Sequence, residues 1–113
     1  MLSRKALDLA SLCTIVCGLA SGATAEDFKS SKFLTYPADA QTNYISTSAV
    51  AAASIAGLNS SAQAKCLGEW VSRHKGSGYQ PVLEVMRKYP DDHPTGLILA
   101  VLQKECGPFK YVK

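Results

Sequence analysis

The side chains with the greatest chemical reach in this chain are four cysteines (Cys13, Cys17, Cys66 and Cys106) and two histidines (His74 and His93). A redox-active thiol calls for a C-x-x-C pair or a lone exposed cysteine, and zinc calls for three or four ligands at close spacing. Neither pattern is present. Asp91, Asp92 or Glu69 could be joined to the histidines in an acid–base or metal site, yet the spacing sets no two of these groups on one helix face. Capping and surface roles are therefore expected for His74 and His93. Serines are plentiful, but there is no G-x-S-x-G elbow and no lysine at catalytic spacing. The residues predict no catalysis, no cofactor and no metal, and direct attention to what the cysteines hold together.

The first residues decide the compartment in which those cysteines work. Arg4 and Lys5 lie beside the initiator, a largely apolar run follows from Leu9 to Ala20, and Ala23-Thr24-Ala25 offers a small-x-small cleavage site before Glu26-Asp27. The apolar stretch is about 12 to 15 residues with Asp8 at its edge, short of the about 20 that a spanning helix needs. A signal peptide over residues 1–25 is expected, with a periplasmic or secreted destination. Leu12 before Cys13 and Val16 before Cys17 do not fit a lipoprotein acceptor site, which wants a small residue there. Cleavage removes Cys13 and Cys17 and leaves Cys66 and Cys106 in an oxidising compartment, which predicts one structural disulfide between them. The alanine-rich run Ala49–Ala56 is too short to span and is interrupted by Ser54, so no membrane span is expected after leader cleavage.

From residue 26 onward the chain carries ten Lys and Arg against eight Asp and Glu, a net charge near +2. Apart from Arg87-Lys88 the basic residues are scattered singly, which is not the concentrated face of a nucleic-acid binder. So small a domain buries only about 60 to 65% of its unfolded surface and is marginal without a staple. Closing the loop from Cys66 to Cys106 contributes about 4 kcal/mol in the chain-entropy account.

Four helices must position that staple. Residues 26–34 read as a flexible lead-in with too few apolar groups to dock. The first helix has Thr35 as cap and Pro37 in its first turn, and places Ile45, Ala49, Ala52 and either Ile55 or Ala56 on one face before Gly57. Ser60 with Gln63 forms a capping box for the second, whose stripe is Gln63, Cys66, Leu67, Trp70, Val71 and His74 before Gly76-Ser77-Gly78. The third starts at Gln80-Pro81, turns Val82, Val85, Met86 and Tyr89 inward, and stops at Pro90. The fourth has Asp92 or His93 as cap and Pro94 at its first position, buries Leu97, Ile98, Val101, Leu102 and Cys106, and ends at Gly107-Pro108. No segment alternates with period two over five residues, so the fold is expected to be all-α: a single helical domain over residues 35–113, stapled from helix two to the end of helix four. Ile45, Ile55, Leu67, Trp70, Val82, Val85, Met86, Ile98, Val101 and Leu102 form the expected core. Tyr79, Phe109 and Tyr111 remain as candidate interface aromatics, the last two in the tail Pro108–Lys113, which also reads as a strap over the core.

In the second half, Cys66-Leu67-Gly68, Val82, Val85, Lys88-Tyr89, His93-Pro94, Ala100 and Cys106 together resemble the small periplasmic Tai-type immunity proteins of bacterial type VI secretion. That family has a Cys-x-Gly helix, a Val-rich helix ending in Lys-Tyr, a His-Pro turn and a last helix closed by cysteine. The resemblance spans Cys66 to Gly107. It departs from the family at Gly76–Pro81, where a further cysteine is common, and after His93-Pro94, where the segment is shorter. It implies a protein that binds and blocks a cell-wall-degrading effector. A second, architectural similarity is to HdeA-like acid-stress chaperones, which are also small, helical and joined by one disulfide. The expectation is a small exported binding protein with one protein partner in the cell envelope and no nucleic acid, the alternatives being such a chaperone or an envelope-associated helical domain of unknown partner; a homodimer is left open.

Overall fold

The computed structural model of the chain describes residues 28–110. The expected signal peptide and its cleavage site, with Glu26, Asp27 and Tyr111, lie outside the described residues. Within them the fold is all-α. A single turn, α1 (Ser30–Phe33), precedes α2 (Ala38–Ala56), α3 (Ser61–His74), a 3₁₀ turn (Lys75–Ser77), α4 (Gln80–Lys88) and α5 (Pro94–Cys106). The four longer helices fall where periodicity and turn residues put them. Cys66 and Cys106 are joined, with their Cα atoms 5.8 Å apart.

Helix boundaries follow local hydrogen bonding. The α3 cap is half of the expected box: the Gln63 N–H donates to Ser60 Oγ at 3.1 Å. The other half is absent because the Gln63 carboxamide is used elsewhere, donating to the carbonyls of Gly107 and Pro108. His93, rather than Asp92, caps α5 through Nδ1, which accepts from the Thr95 N–H at 3.2 Å. Thr35 does not cap α2. Its hydroxyl donates to the Lys32 carbonyl and closes α1, while Pro37 occupies the position just before the first helical residue.

α2 and α3 are principal neighbours. The small residues of α2 permit this: a Cβ built on Gly57 would stand 3.4 Å from the Ala64 Cβ. Ile45, Ala49, Ala52 and Ala56 of α2 meet Leu67 and Trp70 of α3, Val82, Leu83 and Met86 of α4, and Leu97, Ile98 and Leu102 of α5 in one core. Several expectations are corrected here. Ile55 is 66% exposed, and Ala56 takes the inward position that the periodicity left open between them. Tyr89 is 55% exposed, because it follows the last residue of α4 and leaves the helix with φ near −126°. Val85 and Val101 are only partly buried, at the margin of the core.

The lead-in is also corrected from residue 28 onward. Phe33 is completely buried and belongs to the core. Ser30 is buried too: its N–H and its hydroxyl both donate to the Asp92 carbonyl, and the Ser31 N–H donates to the Pro90 carbonyl. One aromatic residue plus main-chain bonds to the α4–α5 turn docks a segment whose composition alone looked too polar to do so.

Candidate functional site

Of the three aromatic residues singled out as interface candidates, Tyr79 and Phe109 lie among the described residues, and they separate. Tyr79 is fully buried and is no surface group. It follows Gly78 (φ +70°) with a positive φ of its own, +60°, and this reversal swings its ring inward. The ring stacks on Trp70 with centroids 5.4 Å apart, and its hydroxyl is hydrogen-bonded to Ser46 Oγ. A non-glycine residue in the left-handed region costs about 1 kcal/mol or more, here offset by burial of a large ring. Phe109 is partly buried and lines a recess.

That recess, about 250 Å³, opens between the C-terminal half of α2, α5 and the tail; Ala52, Ile55, Ala56, Leu99, Phe109 and Lys110 line it. Its apolar character follows from the Ile55/Ala56 register: alanine fits under α5, and isoleucine is left on the rim. Leu58, just beyond the helix, is 81% exposed. A second recess of about 430 Å³ lies on the other side of Phe109 and Lys110, over the disulfide and the start of α3, with Ser60, Gln63 and Pro108 in its wall.

The tail between the two recesses is held by side-chain carboxamides. Asn59 Nδ2 donates to the Lys110 carbonyl at 2.8 Å, Gln63 Nε2 donates to the Gly107 and Pro108 carbonyls at 2.9 and 3.0 Å, and Gln103 Oε1 accepts from the Phe109 N–H at 3.1 Å. Gly107, with φ +88°, turns the chain out of α5 into this path. Gln63 is the residue that sequence reasoning placed in a capping box with Ser60 and on the core stripe, without a long-range role. The signal for it was a carboxamide on an apolar face, which must find polar partners when buried.

The remaining candidates do not converge. His74 packs on Trp70 with ring centroids 5.0 Å apart, and His93 packs edge-on to Phe28 while capping α5. Asp91 pairs with Lys29 at 3.8 Å, the Asp92 carbonyl is taken up by Ser30, and Glu69 is exposed. Among the described residues no three His, Cys, Asp or Glu side chains are grouped to hold a metal ion, and no helix is long and apolar enough to cross a membrane.

No protein-family model, no curated protein and no solved structure matches the chain. The functional reading therefore rests on the residues and on the geometry above.

Proposed function

We propose that this chain is a small exported binding protein that acts by contact with one protein partner in the cell envelope, as an immunity-type inhibitor does, and carries no catalytic step. The observation that carries this reading is the apolar recess rimmed by exposed Ile55 on a disulfide-joined scaffold. Apolar groups at a concave site are what a partner's side chains desolvate on binding, and a few such anchors supply most of an interface's energy. A disulfide-stapled helical domain holds that recess in one shape before the partner arrives, which reduces the ordering cost of binding.

Affinity capture from envelope extract with the purified chain, at neutral pH and again at about pH 3 where carboxylates are largely protonated, tests the reading. One stoichiometric partner at neutral pH, lost with Ile55→Lys, is the expected result. Capture of many unrelated proteins in acid alone would overturn it in favour of an acid-stress chaperone.

A further inference from the structure

The two recesses meet at Phe109 and Lys110, and their walls differ in a way that specifies what fits across them. The first is apolar. The second includes the N-terminal turn of α3, a helix of 14 residues whose first turn contains no acidic side chain. Ala62 lies in its wall, and the first-turn N–H groups of Ser61 and Ala62 have no acceptor four residues back. Such a turn favours negative charge.

Gln63 supplies the independent observation. It is 6% exposed, lines the second recess, and its Oε1 is the one buried side-chain nitrogen or oxygen among the described residues without a hydrogen-bond partner. Its orientation is set by Nε2, which is committed to the Gly107 and Pro108 carbonyls. An acceptor left in this condition costs about 1 to 3 kcal/mol; being closed off from solvent, it is relieved by a donor only when the tail that Gln63 holds moves aside. Among the described lining residues the only charged side chain is Lys110, shared by both recesses, and no carboxylate faces either.

We infer that the paired recesses take an extended segment of the protein partner in which an apolar side chain stands next to a carboxylate. The apolar group fills the recess between Ala52, Ala56, Leu99 and Phe109. The carboxylate lies against Lys110 and the start of α3, and a main-chain N–H of the segment donates to Gln63 Oε1 as the tail at Pro108–Lys110 shifts to admit it. This rests on the reading that the recess face is where a partner binds, and it adds the chemistry of what is bound. A basic segment meets Lys110 and the positive end of α3 and is rejected.

The test uses the full chain, labelled with nitrogen-15, and three capped pentapeptides as probes: one pairing leucine with glutamate, one pairing leucine with lysine, and one with glycine in place of leucine beside glutamate. The leucine–glutamate peptide should move the amide signals of Ser61, Ala62 and Phe109. It should bind about tenfold more tightly than the leucine–lysine peptide, the combined size of an exposed ion pair and a helix-terminus interaction. It should also bind about tenfold more tightly than the glycine–glutamate peptide, which lacks the apolar side chain that fills the first recess. Lys110→Glu should abolish that preference with no change in melting temperature, since the Lys110 side chain is exposed. Equal affinity for the glutamate and lysine peptides, shifts confined to other faces, or no binding at millimolar peptide would overturn the inference. A chain that ignores every peptide yet captures one stoichiometric envelope partner loses this inference and keeps the binding reading. Selective peptide binding without a captured partner supports the site, and the envelope-partner reading falls instead.

Discussion

Trp70 and Tyr79 show how much one side chain carries in a domain this small. Trp70 is buried between Tyr79 and His74, so Trp70→Ala empties the largest side-chain volume in the core. The expected loss is about 3 to 5 kcal/mol, read from urea or thermal unfolding. That is a large fraction of what a small domain possesses. Tyr79→Phe keeps the ring and removes only the hydroxyl bonded to Ser46, so about 1 kcal/mol is expected. An equal loss for the two variants would mean that the hydroxyl pair, and not the stacked rings, secures the α4 entrance. Ile55→Lys separates stability from binding: the side chain is largely exposed, so unfolding should shift by less than about 0.5 kcal/mol while partner capture falls. Trp70 was legible in the sequence because its spacing matched that of Leu67 and Cys66 on a helix stripe. Tyr79 was not, because its burial depends on a positive φ after Gly78, which periodicity does not report. Ile55 was placed in the expected core, and wrongly, for a related reason: it and Ala56 both fit the stripe, and the crowding of α5 against α2 decides for the smaller residue.

At the scale of elements, the helices were legible and their connections were not. Pro94, Gly107, Ser60 and Gly57 punctuate the chain where helices begin and end, and these signals act locally. The docking of α1 depends on partners sixty residues away, the carbonyls of Pro90 and Asp92, and no local pattern foretells them. The aromatic group Phe28, Phe33, Tyr36, Tyr44 and His93 then closes over this junction, with Phe33 5.1 Å from Tyr44 and Phe28 5.3 Å from His93 between ring centroids. A chain lacking residues 26–34, the span that reads as a flexible lead-in, should therefore be less stable by several kcal/mol. Phe33→Ala alone is expected to cost about 3 kcal/mol or more, because it empties a fully buried aromatic position. Unchanged unfolding of the truncated chain would show that this junction adds nothing to the fold. The two recesses belong to the same scale. They exist because Gly107 turns the tail back across α2 and α3, and because Gln63, Gln103 and Asn59 hold it there. The Ser60/Gln63 spacing was legible as a cap, but the long-range use of the Gln63 side chain was not.

For the molecule as a whole, the disulfide is the constraint with the longest reach. It ties the second turn of α3 to the last residue of α5 across a separation of forty residues, and the second recess sits directly over it. Breaking the bridge restores freedom to the unfolded chain, and with a loop of this length the entropic cost to stability is about 4 kcal/mol. The same break acts on the recess, because Cys106 immediately precedes Gly107, from which the tail turns back toward Gln63. Paired Cys66→Ala and Cys106→Ala substitution should therefore lower stability by about this amount, measured by urea unfolding against the untreated oxidised chain. In conditions where the variant is still folded, the amide signals of Gly107 and Phe109 should exchange with solvent faster than in the bridged protein, while those of Ile45 and Ala49, in the α2 core, should change less. If stability fell but tail exchange did not rise selectively, the bridge would be acting on the unfolded chain alone, and the shape of the recess would be set by the carboxamide bonds of Asn59, Gln63 and Gln103.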